Sequence, residues 1–354
     1  MARGERSPHQ RSGRIAPTSK DVAALAGVAQ STVSAVLSGK RPVSAGTRER
    51  VERAMRQLRY QPNAGARTLR TAKTKVIALV VHLGAEADAA ESVPYIDTII
   101  EEARRRDYDV VLSTVREGPS GITRLASRAI CDAFVLMDIQ PDDDRVAVAH
   151  ELGVPVVLVG RPMDPQGLDV VDFDTWRSAE LLVDELAATG HRHIAVLGEP
   201  SGSPASFQFV LDFYDGARDR AAVHGIELAV VERPFDGWDG IVACADRLVA
   251  HGDDRLGLIV RSPRAVEWLV RLLHDRGLAP GRDVSLVGFC TDRTALSFTR
   301  PVTNLSPRPR AVSRTAMRLL FERLEGMDRA PRLELVEPEG LVRRATTAVF
   351  TDAG

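Results

Sequence analysis

The stretch that decides the fold of the N-terminal part of the chain is residues 19–37, SKDVAALAGVAQSTVSAVL. It opens with a predicted helix, because three apolar side chains fall on one face at helical spacing: Val22, Ala23 and Ala26. Ser19 is the expected N-cap of this helix. Gly27 stands where a helix ends in a left-handed residue, so the stretch predicts a tight turn there.

A second helix is predicted from Gln30 to Leu37. Its packing stripe consists of Val33, Val36 and Leu37, and its opposite face carries Gln30, Ser31, Ser34 and Ala35. Small residues at Ala23 and Gly27 let the two helices cross closely at a steep angle. This is the geometry of a helix-turn-helix, whose second helix can enter a major groove. The alternative for the same pattern is an ordinary helical hairpin within a bundle.

A third helix and a short linker follow. Ser44 is the predicted cap of a helix from Ala45 to Leu58. The segment around Leu69 is too short, and too rich in Gly and small residues, to form a stable helix alone. The sequence therefore predicts a disordered tail at residues 1–17, a helix-turn-helix domain at residues 18–62 and a hinge or linker at residues 63–74.

The charge of the 354-residue chain is unevenly divided. Residues 1–75 contain 16 Lys and Arg against 4 Asp and Glu, a net charge of +12, whereas the remaining residues carry −13. A basic head on an acidic body indicates that the head meets a polyanion. The three cysteines match neither a disulfide framework nor a metal-ligand spacing, and there is no long apolar run and no secretory signal. We therefore expect a cytoplasmic protein with no metal and no membrane segment.

From residue 75 onward the pattern changes to alternating strands and helices. Val76–Val81 is an unbroken apolar run typical of a buried parallel strand, and similar runs recur as far as residues 284–289. This alternation predicts an α/β body of two doubly wound parallel sheets, with a cleft at the carboxyl ends of their strands. The run Asp142–Asp144 is predicted to open a helix or to lie in a solvated loop, and Gly198–Ser203 to line the cleft.

Residues 18–75 resemble the head and hinge of the LacI/GalR family of bacterial repressors. The matching segments are Ser19–Ala23, Ala26–Val28, Ser31–Ser34, Val43–Ser44, Thr47–Val51, Tyr60–Asn63 and Ala66–Arg70. The resemblance implies a sequence-specific DNA-binding transcription regulator, by default a repressor, that binds a near-palindromic operator as a homodimer.

The resemblance also implies roles for the matching positions. Gln30, Ser31 and Ala35 would face base edges. Phosphate contacts, or the caps of helices that make them, fall to Thr18, Ser19, Thr32, Ser34, Ser44, Thr47 and Asn63. In the hinge, Leu69 would wedge into a base step of the minor groove beside its mate from the second subunit, with Ala66 and Arg70 along that groove.

Two positions of the head depart from the family pattern. Ala29 stands where Ser is usual before the second helix, so one capping or phosphate bond is missing. Ala35 stands where a base-reading Arg is common and offers only a methyl group, for example to thymine. We therefore expect the preferred operator to differ from the common family sequence at that step.

The body resembles periplasmic sugar-binding proteins, as the bodies of this family do. The matching segments are Gly190–Leu197, Asp283–Phe289, Pro301–Leu305 and Leu341–Thr347. The resemblance implies an effector-binding and dimerisation domain at residues 75–354, in which the chain crosses between two subdomains near Asp174, Asn304 and Pro331. The first subdomain would comprise residues 75–174 and 305–331, and the second residues 175–304 and 332–354.

The expected sensor pocket departs from the family pattern at three polar positions. Phe213 stands where Arg is usual, Arg261 begins the pair that replaces Asn-Asp, and Cys290 begins the pair that replaces Asp-Asp. The candidate effector-pocket residues are Trp176, Phe213, Arg261 and Cys290. An aromatic wall with one cation suits a flat, apolar or anionic small molecule better than a neutral sugar. The alternative is that the pocket has lost its ligand and the body only dimerises.

Two other classes of protein share part of this pattern. A solute-binding protein would have a similar body, but the basic head and the missing export signal disfavour it. A Rossmann-type enzyme is disfavoured because the sequence contains no dinucleotide fingerprint, catalytic triad or metal cluster. The sequence therefore predicts no enzymatic activity and no cofactor.

Overall fold

The computed structural model describes residues 17–38, 41–60, 73–83, 89–200, 207–250 and 254–350. The chain divides into two compact units, Met1–Thr74 and Lys75–Gly354, here called the head and the body. Within the described ranges no helix combines the length and the apolar character needed to cross a membrane.

The described part of the head contains three helices: α1 (Ser19–Ala26), α2 (Gln30–Ser38) and α3 (Ala45–Leu58). They pack around one small apolar core made of Val22, Ala23, Ala26, Val33, Val36, Val51 and Ala54. Each helix contributes one valine with no exposed surface: Val22, Val33 and Val51. Contacts among these β-branched side chains hold the three helices together.

The described strands of the body are β1 (Val76–Val81), β2 (Asp109–Thr114), β3 (Ala133–Leu136), β4 (Val156–Val159), β5 (Asp169–Phe173), β6 (His193–Pro200), β7 (Glu227–Arg233), β8 (Leu256–Val260), β9 (Ser285–Phe289), β10 (Thr303–Leu305), β11 (Leu333–Val336) and β12 (Leu341–Val342). The helices are α4 (Ala89–Arg104), α5 (Gly118–Ser127), α6 (Asp144–Glu151), α7 (Thr175–Ala188), α8 (Gln208–His224), α9 (Trp238–Leu248), α10 (Pro263–Asp275), α11 (Asp292–Ser297) and α12 (Pro309–Leu324).

The strands form two six-stranded sheets, each the centre of one subdomain. The first sheet has the order β11-β5-β4-β3-β1-β2 and is parallel throughout. The second has the order β12-β10-β9-β8-β6-β7 and is parallel except for the short β12. The predicted fold class, a helix-turn-helix head with two parallel α/β subdomains, is confirmed.

A continuous apolar cluster joins the two subdomains beneath their cleft. Phe173, in the first sheet, lies 5.9 Å from Phe289 in the second, measured between ring centroids. Phe213 on α8 lies 5.7 Å from Phe289 in the same way. These rings are buried, so the boundary between the subdomains is an aromatic contact.

The third crossing between subdomains lies later than the predicted position near Pro331. Leu333–Val336 pairs with Val170–Phe173 of β5 and so belongs to the first sheet. The chain crosses only between Val336 and Leu341, because Leu341 pairs with Leu305 in the second sheet. The assignment of residues 332–336 to the second subdomain was therefore wrong.

Candidate DNA-binding surface and effector cleft

The N-terminus of α1 is closed by a reciprocal cap. The Thr18 backbone N–H donates to Asp21 Oδ2 at 2.7 Å, and the Asp21 N–H donates to Thr18 Oγ1 at 3.4 Å. The bond from the Thr18 backbone, followed by a bond of 2.8 Å from the Thr18 hydroxyl to the same Oδ2, lowers the pKa of Asp21. The cap of α1 is therefore Thr18, and the prediction of Ser19 was wrong by one residue, because Asp21 lies three positions after Thr18.

The turn between α1 and α2 fixes the start of the second helix. Gly27 has φ +63°, the left-handed conformation, and its N–H bonds back to the end of α1. The side chain of Ser19 accepts a hydrogen bond at 2.8 Å from Nε2 of Gln30, the first residue of α2. The Gln30 carboxamide is thus held in one orientation at the exposed start of α2.

The outer face of α2 carries the residues that were predicted to meet DNA. Ser31 is exposed, and Thr32, Ser34 and Ala35 are half-buried. Leu37 was expected to point inward, but 38% of its surface is exposed. Val33 and Val36 already fill the core, and Leu37 lies about 40° around the helix axis from Val33 and about 100° from Val36, on the side away from the core.

The beginning of α3 forms the second wall of this surface. Ser44 is the N-cap of α3, as predicted, and its hydroxyl donates to Thr47 Oγ1 at 2.9 Å. A groove of about 430 Å³ runs between α2 and this wall. Its lining includes the predicted Ser31, Thr32, Ala35 and Thr47, together with Arg41 and Arg50.

Arg41 and Arg50 line this groove but were not among the residues predicted from the sequence to bind DNA. Both are exposed on the groove, where their guanidinium groups can reach phosphates beside α2. The excess of basic residues in the head was the signal for them, but charge alone does not show which Arg shares a face with α2. The predicted hinge residues Asn63, Ala66, Leu69 and Arg70 lie outside the described residues.

A large cleft in the body lies between the subdomains, at the carboxyl ends of both parallel sheets. Its volume is about 870 Å³, enough for a small-molecule ligand. Loops after β1, β2 and β3 form one wall, and loops after β6, β7 and β8 form the other. The acidic, basic and imidazole side chains on the lining are His82, Arg116, Asp138, Asp142, Asp143, Asp144, Arg145, Glu199, Arg233, Asp236 and Arg264.

The wall from the first subdomain is acidic and is organised by Arg145. This buried guanidinium donates to both carboxylate oxygens of Asp143, at 2.9 and 2.7 Å, and to the carbonyl of Asp138 at 2.8 Å. Burial raises the pKa of Asp143, but the bonds from Arg145 outweigh it and the net pKa is lowered. Asp143 also caps α6, so the predicted helix N-terminal cluster is present at Asp142–Asp144.

The wall from the second subdomain is built around Glu199. Its carboxylate accepts a hydrogen bond from Arg261 Nη1 at 2.8 Å and lies 3.8 Å from Arg233 Nη2. The side chains of both arginines are more than nine-tenths buried. Nε of Arg233 donates to the Gly198 carbonyl at 3.1 Å and its Nη1 to Asp236 at 2.8 Å. A buried guanidinium on this wall suits an anionic group of a ligand.

The four predicted pocket residues do not line this cleft. Phe213 and Cys290 have no exposed surface, and burial, followed by the charge of Glu91, raises the pKa of the Cys290 thiol to about 12. Arg261 lies beneath the wall, with its guanidinium 5.2 Å from the Phe213 ring centroid. Trp176 lines a separate pocket of about 290 Å³. The residue types at these four positions indicated which side chains are polar, but not how deeply each side chain is buried.

Within the described ranges, no group of three or more His, Cys, Asp or Glu side chains is placed to hold a metal ion. His191 packs within the body: its Nδ1 lies 2.9 Å from the Leu186 carbonyl, and burial lowers its pKa.

The fold and the two sites define a class: a DNA-binding transcription regulator with a periplasmic-binding-protein-like body. Residues 18–63 match the description "Bacterial regulatory proteins, lacI family". Residues 76–232 match "Periplasmic binding proteins and sugar binding domain of LacI family", and residues 183–347 match "Periplasmic binding protein-like domain". The chain belongs to the LacI family of bacterial regulatory proteins.

Relatives and solved structures agree with this assignment. The HTH-type transcriptional regulator CelR of Thermobifida fusca is 31% identical over 94% of this chain and 99% of its own. The HTH-type transcriptional repressor PurR of Haemophilus influenzae is 25% identical over 94% of this chain and 99% of its own. These relatives are regulators of transcription, and this chain is a regulator and not an enzyme.

Two solved structures match nearly the whole chain. A transcriptional regulator CelR–cellobiose complex matches with a TM-score of 0.65 and 28% identity, covering 93% of this chain and 99% of its own. The Lac repressor dimer bound to operator and the anti-inducer ONPF matches with a TM-score of 0.78, covering 94% of this chain and 99% of its own. At 23% identity the second likeness shows the fold alone.

Proposed function

We propose that the chain is a repressor that binds a near-palindromic operator as a homodimer. The observation that carries the proposal is the outer face of α2, where Ser31 and Ala35 line one groove with Arg41 and Arg50, and Gln30 is exposed at the start of the same helix. Polar and small side chains on a protruding helix can read base edges, and flanking arginines bind the phosphates on either side. Action on DNA places the protein in the cytoplasm.

Base reading is assigned to three residues of α2. Gln30 is held by Ser19 and presents its carboxamide to an adenine, the base that Gln pairs with in two hydrogen bonds. Ala35 supplies a methyl contact, which favours thymine. Thr18, Ser19, Thr32, Ser34, Ser44 and Thr47 position the head by phosphate contacts or by capping the helices that make them.

The hinge supplies the second part of the DNA contact. Leu69 from each subunit wedges into the central base step of the minor groove, and Asn63, Ala66 and Arg70 contact the flanking backbone and groove. Unstacking a base step costs a few kcal/mol, and the bend that results brings more protein onto the DNA. Because two leucines act at one step, this contact requires a dimer.

The effector binds in the large cleft and is a small charged molecule rather than a neutral sugar. Arg233 and Arg264 on one wall suit an anionic group, and Asp138 and Asp142 on the other suit hydrogen-bond donors of the same ligand. A sugar is the second candidate, because the related CelR structure is a complex with cellobiose. A thermal-shift comparison of cellobiose with small carboxylates and phosphate esters separates the two.

The operator is best found by selecting bound duplexes from a random DNA pool. We expect a near-palindrome, bound with a steep fall of affinity as salt rises. Leu69→Ala should weaken binding to the selected operator by more than tenfold and leave binding to scrambled DNA almost unchanged, because only the specific complex is bent. Equal losses on both DNAs would refute the wedge, and failure to select any sequence would refute the function.

A further inference from the structure

Asp172 is a buried acid to which the proposed function assigns no role. It lies in β5 with 9% of its surface exposed. One carboxylate oxygen, Oδ1, accepts a hydrogen bond from the Phe173 N–H at 2.8 Å. Across the described residues its Oδ2 accepts no hydrogen bond from the protein. Burial raises the pKa of Asp172 to about 6. A buried carboxylate with half of its acceptor capacity unused is costly unless something else binds it.

A second pocket opens onto this carboxylate. It has a volume of about 290 Å³, and its lining shares no residue with that of the large cleft. Both subdomains and the crossing between them contribute side chains. The lining consists of Arg161, Asp172, Phe173, Asp174, Thr175, Trp176, Asp212 and Leu335.

The other charged groups of the pocket have partners, although Nε of Arg161 is a buried donor that makes no hydrogen bond within the described residues. Arg161, after β4, forms an ion pair with Asp212 of α8, which links the two subdomains. Asp212 also accepts a hydrogen bond from Gln208 Nε2 at 2.7 Å. Asp174 caps α7 and accepts from the Arg177 N–H at 2.8 Å. Asp172 forms no direct ion pair among the described residues, although the charge of nearby Arg161 partly offsets the effect of burial on its pKa.

An aromatic wall stands beside this carboxylate. Trp176 has 39% of its surface exposed, a large fraction for an indole. Its backbone is packed against Gly216 of α8, where a Cβ would come within 2.9 Å of the Trp176 carbonyl oxygen. The glycine therefore fixes where the indole stands. An indole and a carboxylate facing one small cavity form a site for an organic cation.

We propose that this pocket binds the ammonium or guanidinium group of a small organic cation, with Asp172 as its ion-pair partner and Trp176 packed against it. The ligand touches residues of both subdomains, so its binding favours the arrangement of subdomains seen here. The site goes beyond the proposed function and does not depend on it, because cation binding is measured without DNA.

The groups that face Asp172 favour a cation over an anion. They are Arg161 after β4, Asp174 at the start of α7, Asp212 of α8 and Tyr95 of α4. Burial raises the pKa of Tyr95 far above neutral, so it carries no charge. Three carboxylates against one guanidinium leave the pocket negative, and an anionic ligand is repelled.

Calorimetric titration of the full-length chain with three probes of one shape tests the proposal at pH 7.5: n-butylammonium, n-butanol and butyrate. We expect n-butylammonium to bind at least tenfold more tightly than either other probe. Asp172→Asn should weaken it at least tenfold, whereas Asp164→Asn, an equal change of charge on an exposed residue of the preceding loop, should not. Equal binding of n-butanol, or unchanged binding by Asp172→Asn, would overturn the proposal.

Two further measurements, the Tm of the variant and the pH dependence of wild-type binding, distinguish loss of the cation site from unfolding. Asp172→Asn removes a buried charge, so its Tm should be no lower than that of the wild type. For the wild type, affinity for n-butylammonium should fall roughly tenfold from pH 7.5 to pH 5, because Asp172 takes up a proton. An affinity that does not change with pH would contradict the assignment, whatever the operator measurements show.

Discussion

The buried carboxylate of Asp172 also lowers the free energy of unfolding, and the effect depends on pH. Its folded pKa of about 6 exceeds the ordinary value of 3.8, so the folded state holds the proton more tightly than the unfolded state. The free energy of unfolding therefore falls as pH rises from about 4 to about 6. We expect Asp172→Asn to match the wild type below pH 4 and to exceed it by about 3 kcal/mol above pH 6. Urea unfolding across this range measures the difference, and parallel curves would show that Asp172 is not desolvated.

The pair Gly190–His191 shows how a family motif can serve the fold alone. Gly190 has φ +83°, and a Cβ there would lie 2.2 Å from the Phe350 carbonyl oxygen, so no other residue fits. The His191 ring is buried and packs edge-on against Phe350 at 5.0 Å between centroids. The motif thus ties the start of β6 to the last described residues of the chain.

At the scale of the element, α2 and the start of α3 divide base reading from phosphate binding. Gln30→Ala should cost about 1–3 kcal/mol of discrimination at one base pair of each half-site. Arg50→Ala should weaken binding to all sequences alike and reduce the slope of log affinity against log salt by about 1 per head. Fluorescence anisotropy on the selected operator and on single-base variants separates the two effects.

A matched control lies on the same helix. Arg53 is exposed on α3, pairs with Glu49 at 3.0 Å and does not line the groove. Arg53→Ala should change neither affinity nor salt slope by more than about twofold, since a surface ion pair contributes little. If Arg53→Ala and Arg50→Ala had equal effects, the groove between α2 and α3 would not be the phosphate-binding surface.

The elements differed in how well their sequence predicted them. The sequence predicts a strand at Leu256–Val260 and a helix at Phe209–His224, and β8 and α8 match them to within a residue, because one is a continuous apolar run and the other an uninterrupted helical pattern. β5 and β7 were missed because Asp or Glu interrupts their apolar runs. The sequence predicts a helix from about Tyr95 to Arg106, but α4 begins at Ala89, because Pro94 removes one backbone donor without ending the helix.

The sequence predicted where the cleft lies, but not which side chains line it. Parallel strands put their carboxyl ends at one edge, which is why loops after six strands meet there. Which side chains reach the cavity depends on packing depth, and Phe213 and Cys290 are drawn into the core by neighbouring apolar groups. Asp172 and Arg233 were missed because a charged residue is normally expected to be exposed. The sequence pattern of a strand does not show that such a side chain is buried.

At the scale of the whole molecule, charge separates the two units. The net charge of +12 on residues 1–75 attracts DNA, and the −13 on the remainder repels it. The proposed dimer would form through the body, where β2 lies at the edge of the first sheet with Val111 and Leu112 exposed to 39% and 45%. Exposed aliphatic side chains on an edge strand, one on each face of the sheet, favour burial against a second copy. In such a dimer the head binds tightly because the body brings two heads together.

This division of labour predicts the behaviour of the two halves, cut at the boundary after Thr74. The fragment of residues 75–354 should remain dimeric at micromolar concentration by analytical ultracentrifugation and show no affinity for DNA. The fragment of residues 1–74 should bind the operator more weakly than the full chain by a factor of about 10²–10⁴, since joining two heads makes the second contact intramolecular. Its salt slope should be about half that of the full chain, because half as many phosphates are neutralised. An isolated head that matched the full chain in affinity, or a monomeric body, would mean that the operator is read one head at a time.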